Sequence, residues 1–396
     1  MISVQDAAAR IVAAFGPTNS ETVSIAEAAG RVLCVDATAK LDQPPAPVSA
    51  MDGYAVRAAD ALRVPTKLRI IGSSPAGHPF AGKLGMGEAV RIFTGGVVPD
   101  GADAIVIQEN TESDGAIVTV KAPAKAAQHI RLKGLDFQSG DVLMRAGERL
   151  TARGVSLLAA GDLASVAVRR KPVIMFAATG DELSRPGTPH KPGGIVASSG
   201  YGLAAMIESW GGAPHDLGIL PDTEEAIAGI ASAAVGADVI VTLGGASVGD
   251  HDLIQKALGP KGFALDFWKI AMRPGKPLIF GRLGATPLLG LPGNPVSSLV
   301  CAMLFLKPAI AALLGAKTET PLMSARLIGP LAQNRNRQDY VRARTEIRDG
   351  EFWAEAFAVQ DSSMLRPLAQ ADVLIVRPPN APAKQAGERV DILPFP

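Results

Sequence analysis

Residues 239–252 read VIVTLGGASVGDHD. Val239, Ile240 and Val241 are β-branched and form a continuous apolar run, the pattern of a parallel strand covered on both faces. Gly244 and Gly245 end the run; they admit positive φ and let a ligand approach the backbone closely. Ser247, Gly249, Asp250 and Asp252 follow, and helical spacing resumes over DLIQKAL. Backbone N–H groups at such a turn can hold an anionic oxygen, and an Asp beside them can hold a magnesium ion. A tight strand-to-helix turn with Asp as N-cap accounts for the same residues.

Working outward, elements alternate strictly beyond Lys171 and Pro172. A strand over 173–178 runs into Thr179-Gly180-Asp181-Glu182, and a helix capped by Ser198 or Ser199 reaches about Trp210. Asp222, with Glu225 three residues on, fits a capping box for a helix over 224–235. After the 239 strand come strands near 265–270, 277–280 and 287–291, then Pro292-Gly293-Asn294-Pro295 and a long helix. Such alternation predicts an open α/β sheet with helices on both faces. Ligands of these sheets bind at the carboxyl ends of the strands, where TGDE, GGASVGDHD and PGNP fall.

The flanks differ. Residues 3–15 place Val4, Ala8, Ile11, Val12 and Phe15 on one helical face. Pro44, Pro45 and Pro47 stiffen a linker. From about 53 to 131 short strands alternate with turns at Gly95-Gly96, Pro99-Asp100-Gly101 and Asp114-Gly115. A helix over 150–163 and a strand over 165–168 can pair with the N-terminal helix across this insertion. Beyond Pro321 the pattern is again β, consistent with a small barrel or sandwich. The expected fold is therefore α/β multidomain: a central open α/β sheet domain (169–318), an inserted β-rich domain (41–137), a discontinuous helical linker domain (1–40 plus 138–168) and a C-terminal β-barrel (319–396).

With 396 residues, two to four domains are expected. Net charge is +1, so no global field draws the chain to nucleic acid or an anionic membrane, and any anion must be held locally. Cys34 and Cys301 are the two cysteines; they give neither a disulfide framework nor metal spacing. His78, His129, His190, His215 and His251 likewise show no ligand spacing. The start, MISVQDAAAR, is unlike a signal peptide. The apolar helix near 295–314 is interrupted by Lys307, leaving too short a run to span a bilayer. A soluble cytoplasmic protein is the expectation.

Local clusters supply candidate chemistry. Arg273 and Lys276 flank a Pro-Gly turn, a pairing suited to phosphate or another oxyanion and equally to a solvated turn. Pro295 fits helix position N1 and Asn294 the N-cap; Pro292, Ser297 and Ser298 complete a start that can face an anion or simply cap a core helix. Asp52, Asp136, Glu182, Asp222 and Asp252 sit in glycine-marked loops or junctions, and converging carboxylates would suit Mg²⁺ or a water to be activated. Arg131, and Arg342 with Arg344, can bind anions or form the solvent-facing set of their strands.

Taken in order, SAMDGYA, RIFTGG, QEN, IRLKGLD, TGDEL, the Gly-Gly-x-Ser-Val-Gly-x-x-Asp loop, MRPGKP and GLPGNPVS resemble the molybdopterin molybdenumtransferases, to which the C-terminal domain of gephyrin is related. These motifs cover about 49–298, with weaker support from the N-terminal helix and SSMLRPLAQADVLIV. The resemblance implies four domains and a homodimer. It implies insertion of molybdenum from molybdate into adenylylated molybdopterin, Mg²⁺-dependent hydrolysis of the adenylate, and release of AMP. Arg273, Lys276, Ser247 and Ser297 would then hold molybdate, Asp252 and Glu182 the Mg²⁺ or a water, and Asp222 is a functional acidic position. Gly244, Gly245, Gly249, Pro292, Asn294, Pro295, Arg131 and Arg342 are further substrate-binding candidates. Asp52, Thr94 and Asp136 would complete the site from the partner subunit. Transient contact with the adenylyltransferase and with apo-molybdoenzymes belongs to the same expectation. Two positions depart from the family pattern: Arg273 stands where many relatives have Lys, and Leu135 where an acidic residue is common. The rivals are the preceding-step adenylyltransferase, whose glycine loop reads Thr-Gly-Gly-Thr-Gly, and a non-catalytic molybdate-binding or scaffold paralogue.

Overall fold

The computed structural model describes residues 1–245, 250–318 and 321–395; the side chains of residues 250–252 lie outside that description. The chain forms two compact units. One comprises Met1–Glu21, Gly30–Cys34 and everything from Val168 onward; the other comprises Thr22–Ala29 and Val35–Ala167.

The first unit is built on a six-stranded sheet. Its order is Ala213–Leu220, Val173–Thr179, Val239–Leu243, Thr286–Leu291, Ile279–Leu283 and Phe263–Trp268. The first four strands are parallel, and the last two pair antiparallel. Side chains alternate between two cores. Val239, Val241, Leu243, Ile174 and Phe176 enter one face, and Ile240 and Met175 enter the other. Both faces are covered, which is why these strands read as unbroken apolar runs. Ser199–Ser209 and the helical stretch 295–313 cover the first face; Glu224–Ala233 and Asp250–Leu258 cover the second.

The N-terminal helix, Val4–Ala13, also lies on the first face. Ser3 caps it by accepting from the Asp6 N–H at 3.0 Å. Its stripe Val4, Ala7 and Ile11 is buried in the same core as Phe305, Ile310 and Leu313. Ile2 bridges to Ile270, Gln5 Nε2 donates to Gln338 Oε1 at 3.2 Å, and Arg10 pairs with Asp266. The sequence reading paired this helix with the one over 150–163. Its apolar stripe instead finds its partners in the last helix of the α/β sheet.

That last helix runs without a break from α (Pro295–Cys301) through a π-turn (Ala302–Leu306) to α again (Lys307–Leu313). Pro308 has no N–H to give, and a widened turn just before it absorbs the mismatch. Lys307 therefore does not interrupt the helix, contrary to expectation. The 19 residues are long and apolar enough to cross a membrane, with mean hydropathy 2.0, but 67% of the most apolar window is buried inside the protein, as in a core helix.

The unit ends in a closed five-stranded β-barrel: Gln338–Arg348, Glu351–Ala356, Met323–Leu327, Arg389–Pro394 and Val373–Arg377, the last returning to pair with the first. Its core contains Leu327, Ala343, Val373, Ile375 and Ile392. The short strand Met272–Arg273 pairs in parallel with the start of the 338 strand, Arg273 opposite Asp339.

The second unit carries its own six-stranded sheet, in the order Ala104–Ile107, Gly53–Val56, Glu88–Ile92, Thr66–Ser74, Ile117–Val120 and Thr111–Ser113. Gly53 is required by close approach, since a Cβ there would stand 2.0 Å from the Val106 carbonyl oxygen.

Candidate active site

Within the first unit the parallel strands end on loops that line one cavity of about 930 Å³. Val173–Thr179 delivers Glu182, Ala213–Leu220 delivers Asp222, Val239–Leu243 delivers Gly244 and Gly245, and Thr286–Leu291 delivers Pro292, Asn294, Pro295 and Ser297. Arg273 and Lys276 enter from the Arg-Pro-Gly-Lys turn. Carboxylates and cations thus share a single cavity, the arrangement that can orient an anion beside a hard cation or a water.

Local packing fixes each loop. Gly244 has φ 102°, and a Cβ on it would lie 2.7 Å from Thr179 Oγ1 and 2.8 Å from Thr179 O. Its N–H donates to Leu291 O at 3.0 Å, tying two adjacent strand ends together. Gly275 has φ 98°, and a Cβ there would stand 2.3 Å from Cys301 Sγ. The cationic turn is therefore seated directly on the long helix. Burial pushes the Cys301 thiol well above its ordinary value, leaving it a packing group.

Three expected roles change. Thr223, not Asp222, caps the helix Glu224–Ala233: its side chain accepts from Ala226 N–H at 3.3 Å. Asp222 N–H donates to Asp181 Oδ1 at 3.4 Å, one residue outside the cap. Asn294 occupies the N-cap position, but its amide Nδ2 donates to Ser362 Oγ at 2.8 Å instead of closing the helix end. Ser297 lines the cavity, whereas the Ser298 hydroxyl turns back to Pro295 O at 3.0 Å.

Arg342 is neither a solvent-facing strand residue nor part of the cavity wall. It is 2% exposed. Its Nη1 donates to Met364 O at 3.0 Å, its Nη2 to Asp361 O at 2.9 Å and its Nε to Gln360 Oε1 at 3.3 Å. Burial pushes this guanidinium below its ordinary value, partly offset by Asp361. The segment it grips is the one sequence reasoning missed: Gln360, Asp361, Ser362 and Ser363 all line the cavity, as does Arg337. The run SSMLRPL is the only signal of it. Val296 N–H donates to Ser362 O at 3.1 Å, so this barrel segment rests on the helix start.

Of the remaining candidates, Ser247 and Gly249 lie outside the described residues, and of Asp252 only its place on the helix Asp250–Leu258 is described. Asp52, Thr94, Arg131 and Asp136 belong to the second unit. There Asp52 Oδ1 accepts from Thr94 N–H at 2.7 Å and Thr94 Oγ1 at 2.9 Å. Those bonds, with Arg91 nearby, hold its carboxyl below the usual range despite some desolvation. Arg131, on Ile130–Arg131, and Asp136 are exposed. Among the described residues no three His, Cys, Asp or Glu side chains cluster as a ready metal cage. Magnesium needs less, since one or two carboxylates with substrate phosphates commonly suffice. Glu182 and Asp222 bring two carboxylates to the wall of the cavity.

Three family models match the chain: "MoeA N-terminal region (domain I and II)" over residues 2–161, "Probable molybdopterin binding domain" over 176–312, and "MoeA C-terminal region (domain IV)" over 324–395. The molybdopterin molybdenumtransferase of Haemophilus influenzae is 36% identical, the match covering 96% of this chain and 95% of that protein. That of Bacillus subtilis is 32% identical, covering 99% and 94%. A crystal structure of the molybdopterin biosynthesis moeA protein from Pyrococcus horikoshii superposes with a TM-score of 0.87 at 27% identity, covering all of both chains.

Proposed function

The chain belongs to the molybdopterin molybdenumtransferase family, enzymes of molybdenum cofactor biosynthesis, and from that premise we propose that it transfers molybdenum from molybdate into adenylylated molybdopterin, with Mg²⁺-dependent hydrolysis of the adenylate and release of AMP. One observation carries the reading: a single cavity at the carboxyl ends of the parallel strands combines Glu182 and Asp222 with Arg273, Lys276 and Ser297. Molybdate is a dianion, and a guanidinium, an ammonium and a hydroxyl are suitable donors to it. The phosphate link of the substrate needs charge neutralisation and a positioned water, which fixed cations and carboxylates supply without reorganisation. Glu182 and Asp252 are the residues we assign to Mg²⁺, which would neutralise phosphate charge when bound. Asp222 is assigned to positioning the water. The glycine turn, Pro292, Asn294 and Pro295 shape the floor on which the pterin rests.

The same reading assigns Asp52, Thr94 and Asp136 to catalysis from the partner subunit of a homodimer, and Arg131 to anion binding. It also takes the division into four domains, the cytoplasmic location and the contacts with adenylyltransferase and apo-molybdoenzymes from the family.

The test uses purified protein, adenylylated molybdopterin and Mg²⁺, following AMP release with and without molybdate. Molybdate-dependent release, with product that activates an apo-molybdoenzyme, is the expected result. Molybdate binding without any AMP release would overturn the transferase reading. Asp252→Ala is expected to abolish product formation in a chain that keeps its fold; full activity in that variant would remove Asp252 from the site.

A further inference from the structure

Three segments singled out in the sequence, SAMDGYA, RIFTGG and QEN, meet in the second unit, and the proposed chemistry uses only Asp52 and Thr94 of them. Arg91 stands where they meet. It lies on the strand Glu88–Ile92, directly opposite Tyr54 of Gly53–Val56. Its guanidinium carbon is 5.0 Å from the centroid of the Tyr54 ring and 5.0 Å from that of Phe93, within the range of cation–π attraction. Its Nη1 donates to Gly53 O at 3.3 Å and its Nη2 to Gln108 Oε1 at 2.8 Å. Both acceptors are neutral, and among the described residues Arg91 makes no ion pair.

These contacts close around one side chain. Gln108 N–H donates to Asp52 O at 3.1 Å, and the next carbonyl, Gly53 O, is the one Arg91 holds. Phe93, on which Arg91 lies, precedes Thr94, whose N–H and hydroxyl both donate to Asp52 Oδ1. Asp52 Oδ2 takes no hydrogen bond among the described residues. A half-buried carboxylate thus has its backbone clasped, one oxygen spent and the other presented. Packing alone does not explain the arginine, since an aliphatic side chain would cover two rings as well. A guanidinium whose partners are ring faces and neutral oxygens leaves its charge to act on its neighbours. Asp52 is such a neighbour: the two Thr94 bonds, and after them the charge of Arg91, hold its carboxyl below the usual range.

We propose that Arg91 is a positioning residue for Asp52: with Gln108 it locks the Asp52 and Gly53 carbonyls, and it presents Asp52 Oδ2 as a fixed, charged acceptor to a cation or water of the reaction. This rests on the transferase reading, which makes Asp52 catalytic. Asp52 then works as a standing anion and not as a group that exchanges protons. Thr94 is the other half of the device, because by occupying Oδ1 it leaves one oxygen and one direction for the ligand.

The test uses the full-length chain and two substitutions. Arg91→Met keeps the stem over the rings and removes the charge and both hydrogen bonds; Arg91→Lys keeps the charge and loses the fork. Arg69→Met is the control, on the neighbouring strand Thr66–Ser74, where Arg69 is exposed and pairs with Glu88. Circular dichroism checks the fold, carbon-13 NMR titration reads the Asp52 carboxyl, and molybdate-dependent AMP release gives kcat and KM. Arg91→Met should raise the Asp52 pKa and lower kcat at least about tenfold, a misplacement of about 1 Å being able to cost on the order of 10²-fold, with the KM for molybdate unchanged. Arg91→Lys should leave the Asp52 pKa near its wild-type value and still lose kcat, because the charge survives and the clasp does not. Arg69→Met should change neither. Wild-type kcat in both Arg91 variants, an Asp52 pKa indifferent to Arg91→Met, or an equal loss in Arg69→Met would overturn the proposal. If Arg91→Met does not fold, the kcat of Arg91→Lys decides. Turnover that Asp52→Asn abolishes and the Arg91 variants spare would refute the positioning role and leave the transferase standing. A chain without turnover whose Asp52 pKa still follows Arg91 would refute the transferase reading and keep the coupling.

Discussion

Replacing Arg342 with alanine removes a buried strut. The guanidinium holds Met364 O and Asp361 O at 3.0 and 2.9 Å, and Gln360 closes the loop by donating from Nε2 to Arg342 O at 3.0 Å and Phe357 O at 2.8 Å. A hydrogen bond to a charged group nets about 1.5–3 kcal/mol. Two carbonyls at the lower figure give about 3 kcal/mol; the void left by the stem adds to it, and relief from burying the charge subtracts. Arg342→Ala should therefore lose about 3 kcal/mol in equilibrium urea denaturation followed by circular dichroism. Because the strut carries Ser362, whose Oγ accepts from Asn294, the variant should also need more molybdate for half-maximal turnover. Gln360→Ala should be non-additive with it, since both act on one loop. A loss below about 1 kcal/mol with an unchanged molybdate response would refute the strut; such an energy is typical of an ordinary surface substitution.

Gly275→Ala meets both a positive φ and the Cys301 sulfur, so it should unseat the cationic turn and lower both the denaturation midpoint and molybdate binding; wild-type values for both would show that the turn has slack to give. Lys276→Ala should raise the molybdate requirement, and an unaltered dose response would take Lys276 out of the anion site. Thr94→Val keeps the backbone N–H and loses the hydroxyl. The Asp52 carboxyl should move up towards its ordinary value without reaching it, seen by NMR titration; no movement would mean Thr94 Oγ1 does not act on it. Since the Asp52 pKa is depressed in the fold, its stabilisation is present above the unfolded pKa and fades as pH falls through the folded one, earlier in the variant. Asp339 has the opposite sign. Its raised folded pKa makes its favourable contribution complete below the unfolded pKa and lost as pH rises through the folded value, so Asp339→Asn should gain stability only on the neutral side. A pH-independent effect would contradict burial as the cause.

The α/β sheet was legible because its strands obey a rule that needs no partner knowledge. Ile174 to Phe176 and Val239 to Val241 are apolar on both faces, and glycine punctuates the carboxyl end of each strand. The edge strand Ala213–Leu220 escaped because Pro214, His215, Asp216 and Gly218 break that pattern where one side has no neighbouring strand. The cap moved from Asp222 to Thr223 because both residues suit an N-cap and only backbone geometry chooses between them. Glu182, Arg273, Lys276 and the PGNP start were readable from turn chemistry. Arg337, Gln360 and Ser362 were not. They reach the cavity only because the barrel returns its chain to the helix start, a long-range placement that leaves no local periodicity. Arg342 illustrates the converse: an arginine in a strand suggests solvent or an anion, and its true partners, two backbone carbonyls, carry no sequence signal.

The placement of the first helix has a consequence during synthesis. Val4–Ala13 is made long before its partners: Ile2 bridges to Ile270, Arg10 pairs with Asp266 and Gln5 bonds Gln338. Its apolar stripe must wait, uncovered, until some three hundred further residues have emerged, which at about 5–20 residues per second is a delay of tens of seconds. Only then can the helix stretch containing Phe305 and Ile310 accept it. A helix made early thus waits for one made late, and the core they share can close only after both have emerged.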